Sequence, residues 1–209
     1  MKTFTLIMAL MGSFLTHAQI VVDDFSSGNL SQQQHSALKE TKLTQSGSTI
    51  LNTQRDVITR IKKNDDRQLM LTKIEKGRMV SSIGYNITGV IELRYGYNRK
   101  KPLNLDLSTY KYLNIEYEAK SNFGRVYTSM FSNGPNRAFW RGGSKTERFE
   151  GNQRPFTLKI PLNELQKAQD NSQRNNTFTI KDVDHIKIQF IAQNQRGLNF
   201  AITKIWFEK

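Results

Sequence analysis

Two stretches of this chain carry one pattern 73 positions apart, at residues 105–119 and 178–192. They read LDLSTYKYLNIEYEA and FTIKDVDHIKIQFIA. Leu105 matches Phe178, Leu107 matches Ile180 and Tyr110 matches Val183. Leu113, Ile115, Tyr117 and Ala119 then match Ile186, Ile188, Phe190 and Ala192. Apolar residues alternate with polar ones at period two, the pattern of a strand buried on one face. A short strand, a corner and a longer strand are therefore written twice. This predicts two equivalent corners of one β-sandwich, with the alternating apolar positions as core.

The rest of the chain fits around that unit. Ile20 to Phe25 reads as a short strand, and Ser26-Ser27-Gly28 as a turn. Gln32 to Leu43 has no clear period and reads as loop or a poorly paired strand. Strands are expected at Thr49 to Leu51, Asp56 to Ile61, around Leu69, Leu71 and Ile74, and at Met79 to Ile83. Gly89 to Tyr97 alternates strongly, and pairing stops at Pro102, which has no N–H to donate. Further strands are expected at Arg125 to Phe131 and Phe156 to Ile160, and a single short helix at Leu162 to Ala168. In the last strand, Leu198, Phe200 and Ile202 lie on one parity and Ile205 and Phe207 on the other, which predicts a β-bulge near Thr203-Lys204. Many short strands with almost no helix imply an all-β antiparallel sandwich, and the repeated corner favours a jelly roll.

Residues 1–18 stand outside that fold. Lys2, the apolar run Phe4 to Leu15 and the small residues around Thr16-His17-Ala18 form a secretory signal pattern, with cleavage expected between Ala18 and Gln19. The run is too short for the roughly 20 residues that span a bilayer. Export to the periplasm or the extracellular space is the expectation, with residues 19–209 forming one sandwich domain. A chain of this length needs no covalent staples, which agrees with its having no cysteine. The formal charge is +13, reduced by one when Lys2 leaves with the leader. Such an excess attracts polyanions. For an exported chain these are acidic glycans or other anionic envelope material rather than nucleic acid.

Several local patterns resemble a known group. The Asp23-Asp24-Phe25 opening, the Arg55-Asp56 dipeptide, the Leu105 to Tyr110 corner and the run Asp182 to Ile188 are similar to the galactose-binding-like β-sandwiches. The nearest types are carbohydrate-binding modules and the complex I intermediate-associated domain. The resemblance implies a largely non-catalytic domain that binds glycans or proteins. It also implies a candidate structural calcium at Asp23 and Asp24, although calcium takes six to eight oxygen ligands and these two do not complete a set.

The segment Phe123 to Arg154 is the richest in binding chemistry. Arg125, Arg137, Arg141, Lys145, Arg148 and Arg154 outweigh Glu147 and Glu150, interleaved with Tyr127, Phe131, Phe139, Trp140 and Phe149. Guanidinium groups grip carboxylates or sulfates, and aromatic faces stack on sugar rings. Arg125, Tyr127, Arg137, Trp140 and Arg141 are the candidate ligand-binding residues. The competing reading places Phe139 and Trp140 in the core, and neighbours in a strand face opposite ways. Glu116 and Glu118 share one strand face about 7 Å apart, the spacing of paired glycosidase acids, but read better as a polar outer face. A lyase or hydrolase acting on acidic polysaccharide is the enzymatic alternative, with Tyr127 and Arg125, or His185 and Gln189, in the base and neutralising roles. An envelope protein that docks a protein partner is the third. His35 and His185 are the only histidines beyond the leader and make no transition-metal set.

Overall fold

The computed structural model describes residues 19–97, 101–120, 124–132, 144–149, 154–167, 179–192 and 197–209. The expected leader, residues 1–18, lies outside them, as do Arg137, Trp140 and Arg141. Thirteen strands and one short helix occur among the described residues: β1 (Ile20–Asp23), β2 (Leu30–His35), β3 (Glu40–Ser46), β4 (Gln54–Lys63), β5 (Met70–Glu75), β6 (Arg78–Ile83), β7 (Thr88–Tyr95), β8 (Tyr112–Lys120), β9 (Gly124–Phe131), β10 (Ser144–Phe149), β11 (Phe156–Pro161), α1 (Leu162–Lys167), β12 (His185–Ile191) and β13 (Leu198–Glu208).

They form two antiparallel sheets packed as a sandwich. One is seven-stranded, in the order β11-β8-β13-β6-β5-β2, with β1 also paired to β13. The other is six-stranded, in the order β10-β9-β12-β7-β4-β3. β13 is long enough to take β6 along Leu198 to Ile202 and β1 along Ile205 to Phe207. Between those halves its pairing with β8 shifts register around Ile202 and Lys204. The expected bulge is there, and it keeps Ile202, Ile205 and Phe207 all fully buried.

The repeat explains how the two sheets are joined. Its first long strand, β8, enters the seven-stranded sheet and its second, β12, the six-stranded one. The first short arm meets the second unit: Leu105 bridges to Val183 at its corner, each donating its N–H to the other's carbonyl at 3.0 and 2.9 Å, and Leu107 N–H donates to the Ile180 carbonyl at 2.9 Å. At Leu105 the first arm is thus an isolated bridge rather than the short strand expected; Phe178, at the start of the second, lies outside the described residues. Leu113, Ile115 and Tyr117 of β8 and Ile186, Ile188 and Phe190 of β12 are all 0% exposed. Phe190 stacks on Phe200 of β13, with centroids 4.5 Å apart, and closes the core between the sheets.

Gln32 to Leu43, read as loop or a poorly paired strand, contains most of β2 and the start of β3, the last strand of each sheet. Two expectations need correction. Thr49 to Leu51 leads into a 3-10 turn at Leu51–Thr53 instead of forming a strand. In β5 the inward residues are Met70, Thr72 and Ile74, so Leu69 and Leu71 sit on the opposite parity and Leu69 is 49% exposed. The buried Thr72 is satisfied by Ser81 at 3.3 Å. No helix among the described residues is long and apolar enough to cross a membrane.

Equivalent core positions of the repeat should respond alike. Leu113→Ala and Ile186→Ala are each expected to cost about 2–5 kcal/mol in urea unfolding, and Leu105→Ala, only partly buried, less than either. A cost below about 1 kcal/mol at Leu113 would contradict its fully packed position.

Candidate functional site

The outer face of the six-stranded sheet follows from its register. With Val57, Leu93, Ile188 and Val126 committed to the core, the intervening side chains must face away from it. Across β3, β4, β7, β12 and β9 these form aligned rows. One row is Thr44, Asp56, Arg94, Lys187 and Ser129; the next is Lys42, Ile58, Glu92, Gln189 and Tyr127; the third is Glu40, Arg60, Val90, Ile191 and Arg125.

Charge on this face is dense and paired. Glu92 is 2% exposed, a position a carboxylate tolerates only when partnered. It accepts from Arg94 Nε on one oxygen and from Gln189 Nε2 on the other, the latter at 2.5 Å. Asp56 accepts from Thr44 Oγ1 at 2.6 Å and pairs with Lys42 Nζ at 2.8 Å. Arg60 Nε donates to Glu40 at 2.5 Å.

Between β7 and β9 cations and rings alternate. The Arg94 guanidinium lies 5.0 Å from the Tyr97 ring centroid. Tyr97 meets Phe131 edge to face at 6.4 Å. Lys187 Nζ lies 5.6 Å from Phe131 and 5.7 Å from Tyr127. Each ring holds a cation by its quadrupole, and each cation gains a defined position. Burial pushes the Tyr97 phenol well above its ordinary value, against the pull of Arg94, so it is a neutral hydroxyl throughout the physiological range.

A cleft of about 210 Å³ opens at the β3–β4–β7 end of this face. Lys42, Arg94 and Lys101 bring positive charge to it, Asp56 negative charge, Asn52 and Gln54 amides, and Tyr97 its ring. Asn52 donates to the Lys101 and Pro102 carbonyls at 2.7 and 3.2 Å, tying the 3-10 turn to the far wall. Gly96 sits at the rim with φ +75, and a Cβ there would fall 2.1 Å from the Asp184 carbonyl oxygen. Only glycine lets β7 leave the sheet at this point.

Of the residues singled out from sequence, Arg125 and Tyr127 lie together on this face, both half-buried on β9. Arg137, Trp140 and Arg141 fall between β9 and β10 in the chain, outside the described residues. Glu116 and Glu118 are on the opposite side of the molecule, on the outer face of the seven-stranded sheet, where Thr203 donates to Glu116 at 2.6 Å and Arg78 to both oxygens of Glu118 at 3.1 Å. His185 is buried against Tyr97, centroids 5.1 Å apart, and its Nδ1 donates to the Gly96 carbonyl. Because a carbonyl only accepts, the proton sits on Nδ1. Sequence reading missed Lys42, Asp56, Glu92, Arg94, Tyr97 and Lys187. For Glu92, Arg94 and Lys187 the signal was the polar parity of GVIELRYGY and HIKIQF, where Arg94 pairs in register with Lys187 and Glu92 with Gln189; Lys42, Asp56 and Tyr97 carried none.

Asp23 and Asp24 as placed do not fit a calcium ion. Both Asp23 oxygens are taken by Arg55 Nη1 at 2.8 and 2.7 Å, with Phe25 N–H and Tyr95 hydroxyl adding bonds at 2.9 and 3.0 Å. Asp24 Oδ1 turns to the Ser26 N–H and hydroxyl at 2.9 and 2.6 Å. Among the described residues no three His, Cys, Asp or Glu side chains converge as metal ligands.

No family model and no curated protein matches the sequence. Among solved structures the chain is similar to the family 11 carbohydrate-binding module of a cellulosomal cellulase of Clostridium thermocellum, at 15% identity over 91% of this chain and 94% of that one, TM-score 0.44. The family 11 module from Clostridium thermocellum in complex with a beta-1,3-1,4-mixed-linked tetrasaccharide is 13% identical over 91% and 95% of the two chains, TM-score 0.45. A family 29 carbohydrate-binding module from Piromyces equi is 9% identical over 85% and 91%, TM-score 0.35.

Burial holds His185 below its ordinary imidazole value, while the Gly96 carbonyl and Asp184 pull it upward. Its folded value therefore lies below the unfolded one, near 6.5. The neutral ring's contribution is complete above about pH 6.5 and is lost as pH falls toward the folded value. His35 is lowered in the same direction by burial and Lys39. Unfolding free energy in urea should decline from about pH 7 to pH 5, and His185→Gln should flatten part of that slope. An unchanged slope would assign the ionisation elsewhere.

Proposed function

We propose that this chain is an exported, non-catalytic module that binds an anionic extracellular glycan across the outer face of its six-stranded sheet. The observation that carries the reading is the series Arg94, Tyr97, Phe131, Lys187 and Tyr127, in which rings hold cations at defined positions on one face. Ammonium and guanidinium groups held this way lose little further freedom on gripping a carboxylate or sulfate. Arg125 extends the positive strip along β9, and Arg137, Trp140 and Arg141 are proposed to join it from the connection to β10. The excess of Lys and Arg over Asp and Glu, 31 against 18, supports an anionic ligand through long-range attraction. The leader pattern of residues 1–18 supports a periplasmic or extracellular location.

A glycan array read at low salt and at about 1 M salt, where screening acts within about 3 Å, tests this. Uronate-containing or sulfated polysaccharides should be retained at low salt and released at high salt. Lys187→Ala and Arg125→Ala should each weaken retention about tenfold, the scale of one charge-assisted hydrogen bond. Retention of neutral glycans alone, insensitive to salt and to both substitutions, would overturn the anionic reading. New unsaturated or reducing ends would make the module an enzyme. Capture of a protein partner without any glycan retention would replace the glycan by that partner.

A further inference from the structure

Arg55 is the second residue of β4 and Asp23 the last of β1, and neither has any exposed side-chain surface. The guanidinium spends Nη1 on both Asp23 oxygens and Nη2 on the Ser27 and Gly28 carbonyls, the Ser27 bond being 3.2 Å. Its Cζ lies 5.3 Å from the Phe25 ring centroid. The whole turn from Asp23 to Gly28 is thus wrapped around one positive charge. Gly28 is needed for that closure, since its φ is +65 and a Cβ would lie 2.8 Å from Ile50 and 3.3 Å from Arg55 Nη2.

Two carboxylate oxygens and two main-chain carbonyls are the donor type that hard cations take. We infer that the Arg55 guanidinium is a built-in cation filling an oxygen cage of the kind that otherwise binds a divalent ion, so that this turn is ordered without metal and a cation site is exposed when Arg55 is removed. The cage also backs the cleft. Arg55 and Tyr95 are register partners facing inward, and Tyr95 donates to Asp23 at 3.0 Å. Their chain neighbours Gln54, Asp56, Arg94 and Gly96 line the cleft on the other side of the sheet. Arg55 is in this sense a positioning residue for the cleft, and the cage stands whether or not the cleft takes a glycan.

Thermal unfolding of the full chain, in chelator and in about 10 mM calcium, decides the matter. The unaltered protein should melt at one temperature in both. Arg55→Ala leaves a buried carboxylate unpaired, and its Tm should fall by roughly 10 °C in chelator. Calcium should then restore about 4 °C, the shift expected for millimolar affinity, while sodium at equal ionic strength restores none. Arg55→Lys keeps a charge among the same oxygens and should be calcium-insensitive, which preserves the test if Arg55→Ala does not fold in either buffer. A chelator-induced loss in the unaltered protein, a folded Arg55→Ala that ignores calcium, or a calcium-responsive Arg55→Lys would each overturn the inference.

Discussion

The packing of Phe190 on Phe200, ring centroids 4.5 Å apart, is where the two sheets meet. The remaining architecture follows from the constraint that it satisfies. A strand has two faces and only one can join the core. Once Ile186, Ile188 and Phe190 turn inward, Lys187 and Gln189 must turn outward. The same holds on β7, where Ile91, Leu93 and Tyr95 are fully buried and Glu92 and Arg94 take the other parity. The outer face of the six-stranded sheet is therefore the complement of the core, and register aligns its charges into rows.

Two polar networks then support each other through the sheet. On the inner side, Asp23, Arg55 and Tyr95 join β1, β4 and β7 by buried hydrogen bonds. On the outer side, Asp56 and Arg94 are register partners at the cleft. Burial pushes the Asp23 carboxyl up while Arg55, the Phe25 N–H and Tyr95 pull it down. A charge in that place persists because every oxygen has a donor, and loss of one partner is costly in such a network. These core contacts lie directly behind the cleft wall.

Much of the scaffold was legible in the sequence. Period-two alternation located β8 and β12, and the change of parity before Ile205 located the bulge of β13. The strands that escaped are those with least to bury. β2 and β3 lie at the ends of their sheets, and their residues are mainly exposed or half-buried, so LSQQQH and ETKLTQS carry almost no apolar period. β5 was read in the wrong phase because a buried Thr72 paired to Ser81 replaces an apolar residue on its inner face. On the proposed face, Arg125 and Tyr127 were visible as basic and aromatic residues in one segment. Arg94, Lys187 and Glu92 were not, because alternation labels every outward residue alike and only register shows which of them become neighbours.

Ligand is proposed to bind on the outer face of the six-stranded sheet. Backbone amide chemical-shift mapping during titration with an oligouronate tests it most directly. The predicted result is a set of perturbations concentrated on Arg94, Tyr97, Tyr127, Lys187 and Gln189, saturating together with one dissociation constant. Perturbations centred instead on Glu116, Glu118 and Lys204, across the seven-stranded sheet, would contradict it.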